Sequence, residues 1–162
     1  MGQENERKNN KDRKWHRRQP ETDPEAQQLI QKAEEFLLNS MDPAIIKDLG
    51  GFQRKLVHEH FERTQEYSVK TYRDDEQVIL KIYPTGRLKR LAEQKTQEVL
   101  MKGVSEALPP MGSYQRFVIH DYLKEREGVK TVSRGEEGKD RHIEIHPIYG
   151  RSLKKAKTRL TR

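Results

Sequence analysis

Cysteine is absent from this chain of 162 residues, which excludes a disulfide framework, a thiolate metal site and a cysteine nucleophile. Long apolar runs are missing as well. A stretch such as Val78-Ile79-Leu80 falls far short of the ~20 residues that cross a bilayer, and the N-terminus lacks the apolar core of a secretory signal peptide. Neither a Gly-rich phosphate loop nor His-Glu-x-x-His occurs, so those enzyme classes have no motif to rest on. Hydrophobic residues make up only 31% against 36% charged, so part of the chain cannot be buried and any core must be compact. The expectation is a soluble intracellular protein, not an enzyme and without cofactor or membrane contact. Its length suits one ordinary domain or two very small ones.

What the chain does have is charge, unevenly placed. The net charge is +7. Residues 151–162 hold six basic side chains and no acid, while residues 24–86 hold eight basic and eleven acidic ones. Residues 1–23 (seven basic, five acidic) and 87–150 (twelve and ten) are only mildly positive. A basic tail attracts phosphate backbones of any sequence through counterion release; it can equally serve solubility, and charge alone does not choose.

Composition and periodicity divide the chain into four. Residues 1–23 are polar, with Trp15 as their one aromatic, and are expected to be a disordered tail. Asp23-Pro24 is a helix start, with Leu29, Ile30, Ala33, Phe36 and Leu37 at the spacing of one apolar face. Asn39-Ser40 and Asp42-Pro43 break it. A second amphipathic stretch runs from Phe52 to about Glu62, and Tyr67–Tyr72 with Val78–Tyr83 reads as a hairpin. A third helix is expected from near Arg87, ended by Ala107-Leu-Pro-Pro-Met-Gly-Ser113. After it come a helix from Tyr114 to about Lys124 and strands at Gly128–Val132 and Arg141–Pro147. The fold class is therefore α+β: modules at 24–86 and 87–150, each with helices on a short, mostly antiparallel sheet, and a basic tail at 151–162.

The two modules repeat one another. Phe52-Gln-Arg-Lys-Leu-Val-His58 aligns with Tyr114-Gln-Arg-Phe-Val-Ile-His120, Val69-Lys-Thr71 with Val129-Lys-Thr131, and Ile82-Tyr-Pro84 with Ile145-His-Pro147. Three matches in order are improbable by chance, and the offset drifts only in turns. On a wheel of about 100° per residue, Tyr114, Phe117, Val118, Ile119, Tyr122 and Leu123 form a broad apolar arc, with Arg116 and His120 adjacent at its edge. Phe52, Leu56, Val57 and Phe61 trace a similar arc, bordered by Arg54 and His58. His60, aligned with Tyr122, is expected to be packed with a satisfied nitrogen. A buried face does not explain why the Arg/His pair recurs.

These residues resemble the R-three-H domain family, named for its Arg-x-x-x-His signature. The closer match spans about 92–147: an aromatic before Gln115-Arg116, His120 at the right spacing, Gly128 after the helix, Ser133-x-Gly135-Glu136 in the turn, and Arg141 entering the last strand. The resemblance implies a three-stranded sheet packed on two helices and binding of single-stranded DNA or RNA. Leu108-Pro-Pro-Met111 and the Ser133–Gly138 turn are most similar to the C-terminal module of bacterial Jag proteins, which implies RNA and a cytoplasmic setting. The KH partner of that layout is missing, since no Gly-x-x-Gly loop lies upstream. Residues 24–86 resemble a divergent copy, in which Arg73-Asp-Asp-Glu76 replaces the turn and Val78 stands where the other copy has Arg141. Its acids repel phosphate, so the resemblance implies fold more than binding there.

The expected chemistry follows. Arg116 can fork onto phosphate and keeps its charge. His120 can donate or stack, more strongly when protonated. Lys130, Arg134, Lys139, Arg141 and His142 widen the positive surface. Weaker contributions are expected from Arg54, His58, Lys154, Lys155, Lys157 and Arg159, with Tyr114 (more simply a core residue) and Tyr149 as stacking platforms. The local alternative has Arg116 paired with a nearby carboxylate and His120 bonded to a carbonyl or capping a strand. His142 and His146, four apart on a strand, stand about 13 Å apart and are not expected to share a metal. The leading function is a single-stranded nucleic-acid-binding accessory protein, RNA rather than DNA. Its rival is an assembly scaffold within a ribonucleoprotein. A nuclease or helicase complex is a partner compatible with both.

Overall fold

The computed structural model describes residues 23–74 and 77–148. The tail positions Lys154, Lys155, Lys157 and Arg159, the stacking candidate Tyr149, and the expected disorder of the termini lie outside the described residues. Asp23 caps the first helix, α1 (Pro24–Asn39), by accepting from the Glu25 and Ala26 amides at 2.9 and 3.3 Å, with Pro24 in the first turn. Helix α1 buries Ala26, Ala33 and Leu37, while Phe36 stays 48% exposed. Strand β1 (Ala44–Lys47) follows, then helix α2 (Gly51–Glu62), strand β2 (Ser68–Asp74) and strand β3 (Gln77–Tyr83). The strands form one antiparallel sheet in the order β1-β3-β2.

Pro84 alone separates β3 from helix α3 (Thr85–Lys102), two residues earlier than the expected start near Arg87. Strand β4 (Glu106–Ala107), helix α4 (Ser113–Leu123), strand β5 (Val129–Arg134) and strand β6 (His142–Pro147) complete the chain, with sheet order β4-β6-β5. Element order and strand order are thus the same in the two halves. The detail matches as well. In α2 the Gly50 amide donates to Gln53 Oε1 at 3.2 Å, and in α4 the Gly112 amide donates to Gln115 Oε1 at 2.8 Å.

Three elements differ from the sequence-based expectation. β1 and β4 were not expected from pattern, though the family resemblance implied a third strand; four residues and two are too few to show an alternation. Helix α3 stops at Lys102 rather than near Ala107, because Gly103 takes a left-handed conformation (φ 67°) that sends the chain out of the helix.

Each half has its own core. Leu37, Val57, Phe61, Leu80 and Ile82 fill the first, and Leu88, Val99, Ile119, Ile143 and Ile145 the second. The halves also hold each other. Arg87, at the start of α3, donates to the Leu37, Leu38 and Ser40 carbonyls at 2.8, 2.8 and 3.2 Å, completing the open end of α1. Gln115 donates to the Met41 carbonyl at 2.7 Å, and Met41 itself packs against the second core. The hydroxyls of Ser68 and Tyr114 meet at 2.8 Å, and the Tyr83 and Tyr114 rings at 4.5 Å. Among the described residues, no helix is long and apolar enough to cross a membrane.

Candidate nucleic-acid interface

Helix α4 lies along β5, an edge strand of its sheet, and places Arg116 and His120 on the same side. Their situations differ. Arg116 is only 7% exposed. Its Nη1 donates to the Met111 carbonyl at 2.8 Å and its Nη2 to Glu137 Oε2 at 2.5 Å. The arginine therefore ties α4 to the Ser133–Gly138 turn instead of facing solvent as a free phosphate fork. This is the local pairing that stood as the alternative.

His120 is half-buried, with Nδ1 2.7 Å from Thr131 Oγ1 and Nε2 2.8 Å from Ser133 Oγ. Burial, and after it the nearby Arg116 charge, lowers its pKa below the ordinary histidine value. It is thus held neutral near pH 7, and its ring rather than its nitrogens is left for a ligand. The first half keeps part of this contact: His58 Nε2 is 3.0 Å from Thr71 Oγ1, the residue aligned with Thr131, and His58 Nδ1 is 3.2 Å from Glu62. Arg54 is half-buried and has no ion pair among the described residues.

The remaining expected cations are grouped by carboxylates. Arg141 approaches Glu137 at 3.5 Å, so Glu137 sits between Arg116 and Arg141; the buried Arg141 Nε has no hydrogen-bond partner. Arg134 Nε donates to Glu144 at 2.9 Å, and His146 lies 2.9 Å from the same carboxylate. His142 is 3.8 Å from Glu144, and its Nδ1 bonds the Asp140 carbonyl at 2.8 Å. Burial alone would raise the Glu144 pKa, but the hydrogen bonds from Arg134 and His146 outweigh it and hold the carboxyl below its usual value. Lys139 pairs with Glu136 at 2.8 Å within the turn. The expected broad positive surface is therefore largely neutralised here. Arg116, Arg134, Lys139 and Arg141 each meet a carboxylate, which the linear charge balance does not show.

Lys130 is the exception. It is exposed, has no ion pair among the described residues, and lines a groove between α4 and β5 with Phe117, His120, Lys124 and Thr131. Lys124 is likewise exposed and unpaired among the described residues, and Asp121 is the sole carboxylate lining the groove. Phe117 belongs to the apolar arc yet is 60% exposed, and Tyr122 is 42% exposed. Six apolar residues spread that widely on an eleven-residue helix cannot all face one core. Lys124 and Phe117 were missed as site residues from sequence; a helix wheel too broad for its core was the available signal. His60 has the satisfied nitrogen expected of it, 2.8 Å from Glu34, and its ring meets Phe61 edge-on at 5.1 Å, but it lies exposed rather than in the core.

A family model of the R-three-H domain matches residues 87–147. Domains of this family are generally associated with binding single-stranded nucleic acid. The matched segment contains α4, the groove, the Ser133–Gly138 turn and all of the second sheet. No curated protein and no solved structure matches the chain.

Proposed function

We propose that this protein binds single-stranded nucleic acid, RNA in preference to DNA, as a non-enzymatic accessory protein whose second half makes the principal contact. The observation that carries the reading is the R-three-H match over residues 87–147, on a segment whose signature helix borders a groove with two unpaired lysines. Lys124 and Lys130 supply cations for phosphates, while the His120 ring and Phe117 supply stacking surface. Arg116 positions the turn. Glu137, held between Arg116 and Arg141, occupies a place that a phosphate oxygen would also suit.

The preference for RNA and a cytoplasmic setting follow the similarity of Leu108-Pro-Pro-Met111 and the Ser133–Gly138 turn to Jag modules. We further read residues 24–86 as a divergent copy of the same module. The shared element order, strand order, Gly-x-x-Gln caps and His–Thr contact support it. A larger ribonucleoprotein, or a nuclease or helicase complex, is the partner this activity suits. A second reading, a scaffold in such an assembly, is favoured by the burial of Arg116 on Glu137.

A titration of short labelled oligoribonucleotides, with their DNA counterparts, at two salt concentrations tests the proposal. Binding should weaken with salt by about 0.7 log units per log unit for each phosphate contacted. His120→Ala combined with Lys130→Gln should lower affinity, and Glu137→Gln should raise it by freeing Arg116 and Arg141. Affinity unchanged by the first pair but abolished by deleting residues 151–162 would leave the scaffold reading.

A further inference from the structure

In the first half, alternation along β2 and β3 turns Val69, Leu80 and Ile82 into the core. It turns Lys70, Tyr72 and Lys81 onto the face away from the helices, with Lys70 opposite Lys81 and Tyr72 opposite Ile79. β1 adds Ile45 and Lys47 to that face, opposite Lys81 and Ile79. None of the described side chains at these positions is a carboxylate, and Lys47, Lys70 and Lys81 have no ion pair among the described residues. This half is acidic in composition, but Lys47, Lys70 and Lys81 give the middle of this face the opposite sign; by register Asp74 falls at its far end, opposite Gln77.

Aromatic rings connect this face to the second half, the exposed Tyr72 and Phe117 offering ring faces at the two ends and the buried Tyr83 and half-buried Tyr114 linking them. The Tyr72 and Tyr83 hydroxyls meet at 3.2 Å, the Tyr83 and Tyr114 rings at 4.5 Å, and Tyr114 stacks with Phe117 at 6.1 Å, 30° from parallel. Lys81 Nζ stands 5.0 Å from the centre of the Tyr72 ring, and Lys70 Nζ 5.4 Å from that of Tyr114. Phe117 then opens onto the groove with His120, Lys124 and Lys130.

We propose that the outer face of the β1-β3-β2 sheet is a second contact for the same strand of nucleic acid, joined to the α4–β5 groove by the Tyr72–Tyr83–Tyr114–Phe117 row. The inference rests on the reading above that the chain takes single-stranded nucleic acid, and it makes the first half a participant. Interleaved lysines and aromatics are the chemistry a single strand requires: cations for the phosphates, and ring faces that accept any base. A lysine resting on a ring is ready for exchange, since a base can take the ring while the ammonium moves to the adjoining phosphate. The contact predicts little base preference, because its lysines and rings meet phosphates and ring faces rather than base edges.

The test uses the full-length chain, a mixed-sequence single-stranded RNA long enough to reach both surfaces, and a polyglutamate peptide as the probe for an acidic protein partner. Lys70→Gln with Lys81→Gln should weaken RNA binding several-fold and reduce the salt slope by about 1.4, the share of two phosphates. Tyr72→Leu, at an exposed position of the first half, should weaken it about tenfold, in line with the loss of base stacking. Unchanged circular dichroism establishes that the variants fold, and the conservative lysine pair carries the test if Tyr72→Leu does not. RNA binding that falls with His120→Ala and Lys130→Gln but with neither the lysine pair nor Tyr72→Leu overturns this inference and leaves the function standing. Binding of polyglutamate in place of RNA, lost with the lysine pair, makes the face a protein surface and overturns the inference. If the unaltered chain does not bind RNA at all, both readings fall.

Discussion

His120 is a histidine whose surroundings favour the neutral ring. Both nitrogens meet hydroxyls, of Thr131 and Ser133, and burial with the Arg116 charge depresses its pKa. The consequence for stability has a definite sign. The unfolded chain takes up this proton near pH 6.5 and the folded chain only at lower pH, so stability is fully present above about pH 6.5. It falls as pH drops through the folded pKa. Urea denaturation at pH 7.5 and pH 5.5 should show an acid loss that is smaller in His120→Gln; an equal loss in both proteins would contradict the assignment. The Arg-x-x-x-His spacing, and the placing of the pair on one helix edge, were readable from sequence. The neutralising of Arg116 was not, since its partner Glu137 lies 21 positions away and pairing across a turn leaves no periodic trace.

The elements show where local pattern ends and packing takes over. Helices α1, α2 and α4 and both hairpins lie within a few residues of where periodicity and turn chemistry put them. β1 and β4 needed their partner β3 or β6 to exist as strands at all. The end of α1 was legible in Asn39-Ser40, but what stabilises it comes from the other half: Arg87 donates to three of its carbonyls. Arg87→Ala leaves those acceptors to water or to nothing. By the usual penalty for a lost partner at part-buried groups, the protein should lose about 1–3 kcal/mol, seen as a lower urea midpoint. A midpoint within error of the unaltered protein would mean that water replaces the guanidinium at no cost.

At the scale of the whole molecule, two halves with the same order of elements were legible in the sequence, but not how they meet. An apolar pattern tells that a residue is buried, not which half buries it; Met41, from the first half, packs on the second core. Net charge misled in the same way. Residues 87–150, with twelve basic and ten acidic residues, were expected to gather a positive surface, whereas the described part of the second half spends most of its candidate cations on carboxylates. The lysines that stay unpaired include two that border the α4–β5 groove, and others on the outer face of the acidic half. The proposed binding therefore rests on the folded body rather than on charge in the tails.

Amide chemical shifts of the isotope-labelled full chain, followed as single-stranded RNA is added, test that claim most directly. The largest changes are expected on Phe117, His120, Lys124, Lys130 and Thr131. Changes confined to residues 1–22 and 149–162, with the α4–β5 groove unmoved, would contradict it.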